Sequence, residues 1–216
     1  MNNHQAFVIT VQNIPESVKS AERCIWSAER FGIEIDHYDA FSPLDRPEKY
    51  LQERDVKLEG FKEKYSRIDR VIAAFCSHYS LWEYSRDTGR EVMIFEHDAV
   101  VTNFLPIMNY KHVITFGKPS YGKYNTPMIL GTNPLTHKRY FGGAHAYMVK
   151  PSGAKQLIEK AKTHAGPTDV FLNLDNFPWL EEYYPWFAEV NESFTTIQNE
   201  EGCKAKHMFN KDYRIV

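Results

Sequence analysis

Residues 92–101 read Val92-Met93-Ile94-Phe95-Glu96-His97-Asp98-Ala99-Val100-Val101. Four consecutive apolar side chains, β-branched and aromatic among them, describe a strand buried on both faces. Two acids and a histidine follow, with no Gly, Pro or Asn to announce an ordinary turn. A carboxylate pair at the carboxyl end of a buried strand is costly unless a positive group offsets its desolvation. In open α/β sheets that end of the strand is also where ligands bind. The simplest positive group is a divalent cation carrying a phosphorylated ligand. With equal weight, the same residues read as a loop or helix start in which Asp98 caps the following turn.

The flanking chain supplies the layers around such a strand. Phe7-Val8-Ile9-Thr10-Val11 reads as a first buried strand, and Gln12 to Ser17, with Pro15, as the loop into a helix. Val18, Ala21, Ile25 and Ala28 recur at helical spacing until Gly32, a natural stop, and Ile33 to Tyr38 forms a second strand. This opening belongs to a doubly wound α/β layer with a right-handed crossover. Thr10 and Asn13 lie at its ligand edge, where they either touch a nucleotide or cap the helix.

Residues 41–64 have no clean period, which predicts a surface excursion. Ile68, Val71, Ile72, Phe75, Tyr79 and Trp82 then trace one helical face that ends near Gly89. His78 shares that face, where a histidine is more often a hydrogen-bonded core residue than a ligand, and Ser77 bonds back into its own helix. Beyond the central strand, His112 to Phe116 is another strand. Residues 117–139 form a loop or β-excursion that shapes an acceptor pocket, with Lys118, Lys123, Lys138 and Arg139 placed to meet phosphate there or, more commonly, solvent. The paired glycines of Gly142-Gly143 permit a close backbone approach or a bulge before the strand 146–149. A helix opens at Pro151, and Asp169, after Pro167-Thr168, is an N-cap or a buried acid. The aromatic stretch 177–187 reads as a core plug or a stacking surface, and Phe194 to Ile197 as a last strand. The polar residues from Asn199 onward, with Lys204, Lys206, His207 and Lys211, form a flexible tail or lid.

Composition narrows the classes. The 216 residues suit one domain with a C-terminal elaboration, and 43% hydrophobic with 25% charged content is ordinary for a globular core. A net charge of −2 argues against a general binder of nucleic acid or anionic membrane. The three cysteines, Cys24, Cys76 and Cys203, form no C-x-x-C, which disfavours a zinc ribbon and fits a reducing compartment. No basic-then-apolar leader and no membrane-length apolar run occur. The expectation is a cytoplasmic protein without a membrane span.

Three separated pieces carry a resemblance. Cys76-Ser77-His78-Tyr79-Ser80-Leu81-Trp82 is similar to the "C-x-x-SH-x-x-x-W" helix of glycosyltransferase family 25, the lipopolysaccharide-biosynthesis type. Ile94-Phe95-Glu96-His97-Asp98-Ala99 resembles that family's "LEDD" strand end. Gly143 to Val149 with Gly153-Ala154 resembles its "T-x-A-Y-L-I-S-x-x-G-A" strand and helix, and Pro167-Thr168-Asp169 falls at its "P-x-D". The similarity covers residues 67–175 and, more loosely, 6–40.

The resemblance implies a GT-A architecture, a Rossmann-like mixed sheet flanked by helices, over residues 1–198, with 199–216 as tail or lid. It also implies transfer of a sugar, often galactose, from a nucleotide-diphosphate donor such as a UDP-sugar, with inversion. The receiving group would be a hydroxyl of a glycan or lipid-linked glycan. Asp98 matches the acid that holds Mn²⁺ or Mg²⁺, Glu96 the acid near the ribose or the metal, and Asp169 the candidate base. Ser77 and His78 would support the donor pocket. The chain departs from the family at His97, which stands for the middle acid beside the nucleotide sugar, and at Gln12-Asn13-Ile14-Pro15, where the family is arginine-rich. A nucleotidyltransferase is disfavoured by the lack of a Gly-rich phosphate loop. A binding protein that keeps the fold without activity is the third reading.

Overall fold

A run buried on both faces needs a helical layer on each side, and the computed structural model shows both. It describes residues 4–62, 64–191, 194–201 and 214–216. The chain opens with β1 (His4–Thr10), α1 (Pro15–Glu29) and β2 (Asp36–Asp39). A 3₁₀ turn (Pro43–Asp45) leads into α2 (Pro47–Gln52) and the long α3 (Ile68–Thr88), which ends at Gly89 in the left-handed conformation. Next come β3 (Glu91–Glu96), β4 (Ala99–Val101), β5 (Val113–Thr115), β6 (Gly131–Pro134) and β7 (Ala146–Val149). The remainder is α4 (Pro151–His164), the short α5 (Thr168–Phe171), β8 (Glu181–Tyr184), β9 (Ala188–Val190), β10 (Phe194–Thr195) and β11 (Arg214–Ile215).

Seven strands form one mixed sheet in the order β2-β1-β3-β7-β5-β8-β6. β3 runs parallel to β1 and antiparallel to β7, so β3 is central. Side chains alternate across a strand, and each face has its own core. Phe7, Ile9, Val92, Ile94, Tyr147 and Val149 pack with α3 and α4. Ala6, Val8, Met93, Phe95, Ala146 and Met148 pack with α1. Because both sets are buried, the strands lack a polar alternation. β4 pairs with β9 and β10 with β11 in two small sheets.

The region 41–64 is not confined to the surface. Leu51, Val56 and Phe61 are buried against α3, and Tyr50 and Arg54 both donate to Glu83 of α3, at 2.5 and 2.9 Å. Its apolar side chains are too sparse to show a period, yet these three find places in the core, while Leu44 stays exposed. At the other end, β11 pairs in parallel with β10, and Arg67 and Arg70 of the α3 start donate to the Val216 carbonyl oxygen at 3.0 and 2.8 Å. Lys204, Lys206, His207 and Lys211 lie outside the described residues. Among the described residues no helix is long and apolar enough to cross a membrane.

Candidate active site

The carboxyl ends of β1 and β3 and the amino end of antiparallel β7 meet at one edge of the sheet. There they open a cleft of about 700 Å³. Asn13, Ser77, His78, Glu96, His97, Asp98 and Asp169, seven residues singled out from sequence, all line it. Thr10 does not. It is fully buried on the α1 face, its hydroxyl donating to the Val8 carbonyl (3.1 Å) and meeting His37 Nδ1 (3.0 Å). Strand alternation gives the cleft to its neighbours Ile9 and Val11 instead.

One wall is built by a hydrogen-bond chain that joins the separated motifs. Trp82 Nε1–H donates to the Tyr147 hydroxyl (2.9 Å), which lies 2.9 Å from His78 Nδ1, and His78 Nε2 lies 3.2 Å from Glu96 Oε1. A carboxylate only accepts, so Nε2 carries a proton, and in the neutral ring Nδ1 accepts from Tyr147. His78 and Trp82 are one helical turn apart, which is why both reach the same tyrosine. His78 is thus a buried core histidine, and what it holds is the site carboxylate. Desolvation pushes the Glu96 pKa up, but the hydrogen bond from His78 carries it below the ordinary value. Ser77 closes the adjacent wall, its hydroxyl donating to the Ala73 carbonyl (3.0 Å) and accepting from Phe41 N–H (2.9 Å).

His97 and Asp98 form the turn between β3 and β4. The turn is anchored on both sides, since Glu96 N–H donates to the His145 carbonyl (3.0 Å) and Asn191 N–H to the Asp98 carbonyl (2.9 Å). The His97 ring stacks on Phe194 at 5.4 Å and 6°. Burial depresses its pKa to about 4 against the pull of Glu96, with Arg23 lowering it further, so the ring is neutral at pH 7. Among the described residues no three potential ligands gather into a metal cage. The donor set nevertheless suits a hard divalent cation, because Glu96 and Asp98 supply two carboxylates to one cleft. One or two carboxylates, completed by phosphates and water, are what Mg²⁺ takes from a phosphoryl-binding protein.

Asp169 contributes the opposite wall. It lies in the first turn of α5, accepts from its neighbour Val170 N–H (2.9 Å) and accepts a short hydrogen bond from the Tyr121 hydroxyl. Burial raises its pKa and the Glu96 charge adds to this, while Tyr121 and backbone N–H groups oppose the rise. A carboxylate with a raised pKa facing a second, depressed one divides acid-base work from charge binding.

Tyr121, Ser120 and Arg70 also line the cleft and were not singled out for the site from sequence. Tyr121 and Ser120 sit in the motif-free excursion and enter because Gly142 and Gly143 let it approach. A Cβ at Gly142 would come within 2.7 Å of Pro119, and one at Gly143 within 2.9 Å of the Ser120 hydroxyl. The glycine pair was the available signal.

No protein-family model matches the chain, and no curated protein matches it. Among solved structures, the apo form of mouse xyloside xylosyltransferase 1 aligns with a TM-score of 0.45 and 10% identity over 89% of this chain and 88% of that one. A likeness this distant carries no argument about chemistry.

Proposed function

We propose that the chain is a glycosyltransferase of GT-A type, moving a sugar from a nucleotide-diphosphate donor to a hydroxyl of a glycan or lipid-linked glycan. The observation that carries this reading is the single cleft in which the Glu96–Asp98 strand end faces Asp169. The motif resemblance to glycosyltransferase family 25 supports it, and with it a UDP-sugar donor and inversion. Residues 1–198 form the transferase domain in this reading. Cys24 and Cys76, both free and buried, suit a cytoplasmic enzyme.

Glu96 and Asp98 would hold Mn²⁺ or Mg²⁺, and the bound ion supplies charge neutralisation for a leaving diphosphate. The remaining steps belong to the chain's own groups. His78, locked by Tyr147 and Trp82, keeps Glu96 ionised and oriented. Asn13 and Ser77 edge the donor side, and the neutral His97 presents an imidazole there where a third acid would add repulsion. Asp169 takes the proton of the attacking hydroxyl, which must first displace the Tyr121 hydroxyl from the carboxylate.

Calorimetric titration of UDP tests the assignment, with Mn²⁺, with EDTA, and on Asp98→Ala. The expected result is binding that requires the metal and weakens at least about tenfold in Asp98→Ala. Absence of UDP binding in every condition would overturn the UDP donor, and a GDP, CMP and ATP panel would then separate another nucleotide from a protein that has lost catalysis.

A further inference from the structure

The 117–139 excursion carries more charge than sugar transfer uses. Lys123, Lys138 and Arg139 border an open recess together with Tyr124 and Tyr140. The recess lies one step along the chain from the cleft, since Tyr121 lines the cleft and Gly122 the recess. Lys138 is central to it. Its ammonium lies 4.3 Å from the Tyr121 ring centre and 5.3 Å from that of Tyr140, and it donates to the Tyr121 carbonyl. Gly122 leaves room for it: at φ +64° a Cβ there would stand 3.3 Å from Lys138 Nζ.

The charges are incompletely balanced. Arg139 pairs with Asp175, both largely exposed, whereas neither Lys123 nor Lys138 has a carboxylate partner among the described residues. Burial lowers the Lys138 pKa while the nearby Asp169 carboxylate raises it. A partly desolvated ammonium between two tyrosine rings, with no anion in contact, is a ready receptor for one. The tyrosines add faces on which a sugar ring can rest.

We propose that this recess is the acceptor subsite and that it takes an anionic sugar, Lys138 and Lys123 holding a phosphate or carboxylate while a hydroxyl of the same molecule reaches Asp169. The role as acceptor site rests on the transferase reading, but the anion binding does not.

The test is calorimetry with methyl glucoside, glucose 6-phosphate and glucuronic acid on the full chain, on Lys123→Gln and on Lys138→Gln, at two salt concentrations. Lys123 is exposed, so its variant keeps the fold. The expected result is that an anionic sugar binds at least about tenfold tighter than methyl glucoside, with the gap shrinking in salt and in each variant. The better of glucose 6-phosphate and glucuronic acid identifies the anion. Equal binding of all three, no binding, or a gap that persists in both variants would overturn the proposal. UDP titration with Mn²⁺ on the same samples separates the two readings. UDP binding without anion preference removes the acceptor subsite alone, and anion preference without UDP binding removes the UDP donor alone.

Discussion

Asp169 is the residue whose chemistry is most exposed to test. In the proposed role of base it works only when deprotonated, and its raised pKa keeps the proton on to a higher pH than an ordinary aspartate would. Transfer is therefore expected to be lost as pH falls through that raised value, giving kcat/KM an acid limb above the usual aspartate value of about 3.9. Removing the Tyr121 hydrogen bond removes an influence that lowers this pKa, so Tyr121→Phe should move the limb to higher pH. A limb that stays in place would separate Asp169 from the base role. Asp169→Asn should reduce transfer by roughly 10²–10⁴-fold while leaving UDP binding intact. The cysteines give a second residue-level expectation. Burial pushes the Cys24 thiol up to about 12, with Asp98 adding and Arg23 opposing, and it pushes Cys76 up as well. Neither should react with Ellman's reagent at pH 8 until the protein is unfolded, and rapid labelling of either in the native state would contradict their burial.

At the scale of elements, α3, β3 and β7 are tied by the chain Trp82–Tyr147–His78–Glu96, which spans one helical turn and two neighbouring strands. Tyr147→Phe leaves both the Trp82 N–H and His78 Nδ1 buried and unpaired. The expected cost is about 1–3 kcal/mol in urea unfolding, together with weaker Mn²⁺-dependent UDP binding because Glu96 loses its orientation. If stability falls and UDP binding does not, the chain is scaffolding only. The helix period and the paired glycines showed in the sequence that these elements exist. Which of their polar residues would meet was not legible there, because Trp82 and Tyr147 are 65 residues apart.

Across the whole molecule, the walls of the cleft and of the recess depend on how the excursion is fastened to the sheet. Glu182, fully buried on β8, accepts from Thr136 N–H (2.6 Å), the Thr136 hydroxyl (2.7 Å) and His137 N–H (3.0 Å), and from His137 Nδ1–H (2.7 Å). Gly142 N–H donates to His137 Nε2 (3.2 Å), which places the His137 proton on Nδ1. Desolvation opposes ionisation of Glu182, yet these hydrogen bonds take its pKa below the ordinary value. With the folded value lowered, its stabilisation is present above the unfolded glutamate pKa of about 4.3 and is lost as pH falls through the folded one. Glu182→Ala should cost at least about 1–3 kcal/mol in denaturant unfolding, because it leaves buried donors without their acceptor. It should also lower transfer, since Tyr121 and Lys138 ride on the same segment. Near-native stability in this variant would show that the excursion is held elsewhere.

The residue order established the layer type through local physics: apolar runs buried on two faces, one long periodic helix, and glycine at its end. It also placed Glu96 and Asp98 at a strand end, because a strand terminus is a property of nearby residues. The tertiary structure settled what depends on distant pairing. It turned Thr10 away from the cleft, sank Leu51, Val56 and Phe61 into the core, and set Tyr121 against Asp169. Those outcomes arise from strand parity, sparse apolar anchors and a glycine-enabled approach between segments far apart in the chain. None of these leaves a local period in the sequence, since the energy that fixes them comes from surfaces that meet only after folding.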